Sequence, residues 1–396
     1  MAAALSLTER LAVGPLARPV TGPDRDRAAL HLLDWLGCAL AGAVTVEGRL
    51  IAPAPFSASG ETDAIAAMGG LGSLLEMDDV HRGALLHPGP VIVPVVLGLP
   101  GADPLAAMVR GYEAMIRLGR AVGPGHYAMF HNTATCGGIG AAVAASALVS
   151  ATPTQMVGAM GTAMSLAGGL WQCRHEDVAT KHIHVAEAAR RGVVAMRHAM
   201  RGLPGPRFIL DGPQGFFAAL ARDGDPGQVL AGADDPWLIH QVSLKPWPAC
   251  RHAHPAIDAA LVLRDRLAGR VPDAVQVATY ADAIRFCDRP APRTPAEARF
   301  SLQHAVAVAL RDGPPGLAAF EAAALAVPFP LRDRVSVSAE HEFSAAYPAH
   351  FGARVTVTVG AETLTATVAD AWGDSENRAS AGVRGAGLSQ NRIASA

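Results

Sequence analysis

Charge is what this 396-residue chain has least of: only 17% of residues are Asp, Glu, Lys or Arg, and the formal net charge is −2. A nucleic-acid surface needs a clustered excess of Lys and Arg, so no nucleic-acid partner is expected. Cysteine is scarce too. The five, Cys38, Cys136, Cys173, Cys250 and Cys287, are far apart and contain no C-x-x-C pair. That argues against a disulfide framework and against a thiolate metal centre, and reads as isolated free thiols in a reducing compartment. The P-loop pattern, a G-x-G-x-x-G after a strand, H-E-x-x-H and the D-x-D-x-D-G loop are all missing, which disfavours nucleotide cofactors and the common metal sites. The first residues, MAAALSLTERLAVG, lack the basic segment and uninterrupted apolar run of a secretory signal, and a cytoplasmic location is expected.

What the chain does have is apolar residues, half of the total, with many Gly and Ala and few aromatics. Such a chain can bury enough surface to offset its ordering entropy. Its length suits two domains. Between Asn132 and Gln172 there is no charged residue, but ATPTQ at 151–155 interrupts the run, with Thr152 or Thr154 as a helix cap and Pro153 in the first turn. Two buried helices are expected there and no membrane span.

Helical patterning runs over 25–45, from Asp103 to about 122, and through IHVAEAARRGVVAMRHAMRGL, which Gly202 and Pro204 stop. Beyond about Leu244 the texture changes. AVQVATYADAIRF (274–286), RVSVSAE (334–340) and ARVTVTVGAETLTATVADA (353–371) alternate with period two, the last with Gly360 at a hairpin position. Helical stretches, notably LVLRDRLAG and AEARFSLQHAVAVAL, lie between them. The fold class is therefore mainly α: a helical domain over 1–243, completed by 370–396, and a smaller α+β domain over 244–369. The tail RASAGVRGAGLSQNRIASA has little pattern and reads as a loosely held end.

Four polar clusters stand out. LEMDDVHRGALLHPGP (75–90) carries Glu76, Asp78, Asp79, His81, Arg82 and His87. FHNTATCGG holds His131 and Thr133. CRHEDVATKHIHVAE holds Lys181 and His184, three apart and so on one face of a helix. KPWPACRHAHPAID holds Lys245, Arg251, His252 and His254. Each has a plain reading: a cap, a turn residue, a surface lysine, an arginine that pins a loop. The first cluster could also ligate a metal, although His81 and His87, six apart, match no common ligand pair, and no metal is expected.

Their order and wording resemble one family. DWLGCALAG (34–42), LEMDDVHRGALLHPG, FHNTAT, TKHIHVAEAARRG (180–192), KPWPACRHAHPAIDA (245–259), ARFSLQHAVAVAL (298–310) and WGDSENR (372–378) are similar to successive blocks of the MmgE/PrpD family, which includes 2-methylcitrate dehydratase, cis-aconitate decarboxylase and iminodisuccinate epimerase. The resemblance implies a large helical domain, a smaller α+β lid domain, a cofactor-free site in the cleft between them, and a homodimer. It also implies a small di- or tricarboxylate substrate that reacts at the carbon next to a carboxylate. The implied catalytic groups are His87, Lys181, His254, Asp78 and Asp79. The implied substrate-binding groups are His131, Thr133, His184, Arg251, Arg299, His304 and His81.

Such chemistry needs a base and a cationic clamp, because removing that proton puts a second negative charge on the carboxylate. Lys181 and Arg251 suit the clamp, His87 or His254 the acid or base, and an Asp of the 78–79 pair the orientation of that histidine. DDVHRGALLHPG looks closest to the epimerase-like branch. His304, Asn132, Ala186 and Arg378 depart from residues usual in the family, often Tyr, Pro, Gly and Pro respectively. These departures bear on the substrate more than on the reaction class, and they motivate the opposing reading of a non-catalytic carboxylate-binding homologue.

Overall fold

The structure is a computed structural model that describes residues 4–52, 60–176 and 178–377. It divides into two compact units, Met1–Leu74 with Asp78–Val242 and Leu75–Met77 with Ser243–Ala396.

The first unit is helical. Its principal helices are α1 (Gly22–Ala43), α2 (Glu61–Ser73), α3 (Gly89–Gly98), α4 (Pro104–Ala121), α5 (Asn132–Leu148), α6 (Pro153–Ser165) and α7 (Thr180–Met200). Their ends follow the local chemistry. Thr152 forms a reciprocal capping box with Gln155, Pro153 sits in the first turn, and Asp103 accepts the Ala106 N–H at 3.0 Å. The uncharged run is explained by α5, which is buried from Asn132 to Ser146 and packs against both α4 and α7. α6 differs from expectation at its start: Pro153 and Thr154 are exposed, and the helix is buried from Val157 to Gly161. Among the described residues no helix is long and apolar enough to cross a membrane.

Small residues set how closely these helices approach. A Cβ on Gly192 of α7 would lie 2.3 Å from the Ala141 Cβ of α5, and one on Gly140 would lie 2.8 Å from the Gly111 carbonyl oxygen of α4. Neither gap admits a methyl group without a shift of a packed helix.

The second unit contains α8 (His254–Leu267), β1 (Ala274–Thr279), α9 (Ala281–Cys287), α10 (Pro295–Arg299), α11 (Leu302–Asp312), β2 (Val335–Ala339), β3 (Ala353–Val359) and β4 (Glu362–Val368). The sheet order is β2-β1-β3-β4; β1 and β2 run parallel and the other pairs antiparallel. Val275, Val277, Val355 and Val357 point into a core shared with Ile257, Leu263 and Val306. The β3–β4 hairpin turns at Gly360, whose φ of 58° suits glycine.

Three expectations change. The alternation of 274–286 ends at Thr279, because Ala283 and Cys287 are buried with helical spacing and α9 takes over. AEARFSLQHAVAVAL breaks into two helices at Ser301, whose Oγ caps α11 by accepting the His304 N–H at 3.0 Å. Residues 370–377, expected to complete the helical domain, are bonded into the second unit: Leu244 N donates to Gly373 O at 3.0 Å, and Trp372 N to Asp258 Oδ2 at 2.7 Å. The tail from Arg378 onward lies outside the described residues.

One buried group makes the second unit acid-sensitive. His252 lies between the rings of Phe286 and Phe351, at 5.1 and 5.3 Å, with Nδ1 2.6 Å from the Tyr280 hydroxyl. Burial, helped by Lys245 and Arg251, pushes its pKa down to about 3 from 6.5. The unfolded chain then binds the proton that the folded chain refuses, so stability falls as pH drops from about 6.5 towards 3. The urea midpoint of wild type is expected to fall more steeply over that window than that of His252→Phe; parallel slopes would disprove the assignment. In the first unit, Gly192→Ala is expected to lose about 1–3 kcal/mol of stability by overpacking α5 against α7, read as a lower thermal midpoint.

Candidate functional site

The acidic block lies between α2 and α3, and its two aspartates part company. Asp79 is 2% exposed and fully engaged. Oδ2 lies 2.7 Å from His31 Nδ1 on α1 and accepts the Tyr112 hydroxyl of α4 at 2.7 Å. Oδ1 accepts the Gly89 N–H at 2.8 Å, at the start of α3. A Cβ at position 89 would sit 2.7 Å from that oxygen, which explains the glycine after Pro88. Asp79 therefore holds three helices and the turn that carries His87. Burial, then the Asp79 charge, raises the Tyr112 phenol well above its usual range, so it remains a donor.

His87 Nδ1 lies 2.8 Å from the Asp79 carbonyl oxygen and 3.0 Å from Asp78 Oδ2. A carbonyl only accepts, so Nδ1 carries the hydrogen and Nε2 is left for other chemistry. The His87 backbone N–H donates to Thr133 Oγ1 at 3.1 Å, fixing the turn against the start of α5. The His87 side chain is 17% exposed and that of Asp78 5%. A partly open imidazole with a carboxylate behind it is the usual arrangement of an acid–base histidine.

His131 precedes α5, with its ring 4.5 Å from Trp171 and 5.7 Å from His184. It is 2% exposed, and neither ring nitrogen has a hydrogen-bond partner. A buried polar group without a partner is destabilising, and such groups concentrate where a ligand supplies the bond. Burial, then the neighbouring Lys181, His184 and His87, hold His131 well below the usual histidine range, opposed by Asp78. These five side chains therefore share one electrostatic neighbourhood. Lys181 and His184 come from the first turns of α7, three apart as the spacing required. Burial lowers the His184 pKa as well, and its Nδ1 is also without a partner.

His81 stands apart from this group. Its Nδ1 accepts the Ala84 N–H at 3.0 Å, capping a single turn, and burial pushes its pKa down to about 4. Its ring is buried, with Nδ1 taken up by this backbone contact.

In the second unit, Arg251 is held by the protein itself. It pairs with Asp374, faces the carbonyls of Trp372 at 3.3 Å and Ala371 at 3.4 Å, and meets His254 Nδ1 at 3.1 Å. It is 3% exposed, and its guanidinium pins the 371–374 segment instead of presenting an open fork. His254 uses both ring nitrogens, the second on the Ala249 carbonyl at 3.0 Å. Burial, then Arg251, holds its pKa well below the ordinary value. The sequence offered His254 as an acid or base and Arg251 as a clamp; in the structure both side chains are engaged by neighbouring protein groups. Arg299 pairs with Glu321 at 2.7 Å, and His304 Nε2 donates to the Ala319 carbonyl at 2.8 Å beside the rings of Phe320 and Phe329.

Sequence reasoning missed His31, Tyr112 and Trp171. No motif marks them: His31 sits in an amphipathic helix and Tyr112 in an apolar face, and both matter only through Asp79. Glu76 is a further buried carboxylate in the second unit, with φ of 57°, a left-handed backbone rare for a non-glycine residue. Among the described residues no group of three or more His, Cys, Asp or Glu side chains is arranged to hold a metal ion.

Comparison with known proteins gives the chain relatives. The chain is 29% identical over 261 residues to a human cis-aconitate decarboxylase, covering 60% of this chain and 53% of that protein. It is 24% identical over 229 residues to cis-aconitate decarboxylase of Aspergillus terreus, covering 52% and 45%. The matched stretch thus spans about half the length of these relatives. The model of the MmgE/PrpD N-terminal domain matches residues 19–228 and that of the C-terminal domain residues 247–382. Blocks and domains agree, and the chain belongs to the MmgE/PrpD family.

Proposed function

We propose that this chain is a cofactor-independent lyase or isomerase that moves a proton at the carbon next to a carboxylate of a small di- or tricarboxylate. The observation that carries the reading is His87: Nδ1–H held by Asp78 and the Asp79 carbonyl, Nε2 open, in the field of Lys181 beside the neutral His131. In the first step His87 Nε2 takes the proton, and the electron pair left on carbon spreads into the carboxylate. The Lys181 ammonium and an N–H of His131 or His184 stabilise the resulting dianion. Asp78 stabilises the imidazolium that His87 becomes.

Two outcomes follow from that point, and a third reaction uses the same groups without that first step. Return of a proton from the opposite face gives epimerisation. Expulsion of a β-hydroxyl with a proton gives water and an alkene, a dehydration. A decarboxylation instead begins with His87 as the imidazolium beside Asp78: the carbon–carbon bond breaks, CO2 leaves, and the carbanion takes the Nε2 proton. Dehydration and epimerisation are the leading readings from the sequence blocks. Decarboxylation is favoured by a separate observation, the names of the matched relatives.

The test is proton NMR in deuterated water with citrate, 2-methylcitrate, cis-aconitate, iminodisuccinate, malate and the tartrate isomers. Exchange without net change marks epimerisation, a vinyl signal marks dehydration of a hydroxy acid, and loss of a carboxyl marks decarboxylation. His87→Ala and Lys181→Ala are each expected to lower turnover about 10²–10⁴-fold. Wild-type turnover in both variants would sink the catalytic assignment and leave a carboxylate-binding homologue.

Tyr112→Phe tests the support behind His87. It leaves buried Asp79 with one donor fewer, an expected loss of about 1–3 kcal/mol by thermal melt. Turnover is expected to fall less than for His87→Ala, because the reacting nitrogen remains.

A further inference from the structure

The second unit contains a cavity of about 550 Å3 that shares no lining residue with the histidine and lysine clusters described above. It lies where α8 ends, at Leu267 and the left-handed Ala268–Gly269 turn, beside the end of α11 and residues 329–331. Its volume is typical of small-molecule sites. The floor is apolar, with Leu267, Leu310, Phe329 and Leu331 all buried.

Four arginines stand in its wall, Arg264, Arg270, Arg311 and Arg334, against one lining carboxylate, Asp265. Two are engaged. Arg311 makes a two-bond fork with Asp312, at 2.8 and 2.7 Å, and lies 3.8 Å over the Phe329 ring. Arg270 pairs with Glu362 at 2.5 Å, an ion pair whose side chains are 44% and 47% exposed and which is weak for that reason. The other two are not matched. The carboxylate oxygen nearest Arg264 is Asp265 Oδ1, at 3.8 Å on a side chain 83% exposed, and its fork makes no hydrogen bond among the described residues. Arg334 gives one hydrogen bond, to the Pro272 carbonyl at 2.7 Å, and no described carboxylate lies within ion-pair distance.

The placement of Arg264 is built in. Gly313, with φ of 93°, would bring a Cβ to 3.2 Å from the Arg264 Cζ, so the bare backbone there lets the guanidinium lie against it. The end of α8 is the electronegative end of a helix and by itself repels anions; Arg264, in its last turn, and Arg270, just beyond, reverse that locally. An apolar floor under open planar forks complements neither a plain hydrocarbon, which ignores the forks, nor a small inorganic anion, which leaves the floor wet.

We propose that this cavity is a second ligand site, which binds an organic anion made of an apolar body and a terminal carboxylate or phosphate. Arg264 and Arg334 grip the charged end, and Leu310 and Phe329 cover the body. The proposal does not rest on the reaction assigned above.

Isothermal titration calorimetry on the full chain tests it. The probes are octanoate and 1-naphthyl phosphate; inorganic phosphate and 1-naphthol serve as controls that lack the body or the charge. Saturable binding of one probe per chain is expected, at least about tenfold tighter than either control. Preference between the two probes identifies the natural head group. Arg264→Glu with Arg334→Glu is expected to weaken binding at least about tenfold with the thermal midpoint unchanged. If the double reversal fails to fold, Arg264→Gln and Arg334→Gln taken singly give the same reading. No saturable heat with either probe, or affinity unchanged in the variants, overturns the site.

Discussion

The carboxylate of Asp79 is the interaction on which the rest of the first unit's site depends. A buried charge is tolerable only where its lone pairs are filled, and here three donors from three helices fill them: His31, Tyr112 and the Gly89 N–H. The same residue's carbonyl holds His87 Nδ1. One residue thus couples the packing of α1, α3 and α4 to the tautomer of the histidine with a free nitrogen. The family's D-D and H-P-G blocks divide the work accordingly: Asp78 faces His87, Asp79 faces the protein, and Pro88–Gly89 turn the chain so that both can happen.

Around that anchor the site is built from imidazoles kept neutral. His131 is buried beside the half-buried His184; burial lowers both, and Lys181 adds to the effect at His131. In the proposed reaction, neutral rings donate hydrogen bonds to an oxygen that gains charge without competing with the substrate carboxylate for the lysine. The nitrogens of His131 are left without partners in a buried setting, which is destabilising.

Legibility followed the kind of information each feature needs. Helices and strands with strong periodicity and good caps, such as α4, α6 and the β3–β4 hairpin, were readable because their causes are local. The pairing of Lys181 with His184 followed from helical spacing alone. The strand-to-helix change at Thr279 and the break at Ser301 were not readable, since burial of Cys287 and the Ser301 cap compete with patterns that continue across them. Arg251 and His254 show what a local pattern leaves out. Their motif is polar and cationic in sequence, but the carbonyls of residues 371 and 372 and the Asp374 carboxylate that engage Arg251 come from more than a hundred residues away.

By itself the sequence determined the family, the mainly helical class with a smaller α+β part, and which residue types gather in four blocks, because block wording and periodicity are local properties. Only the tertiary structure decided which members of those blocks are free to act. A side chain's availability is set by what fills its lone pairs and N–H groups, and for Asp79 and Arg251 the fillers include groups distant in sequence. The arginine-lined cavity has the same origin: Arg264, Arg311 and Arg334 are scattered along the chain and become one wall only when α8, α11 and the turn before β2 close on each other.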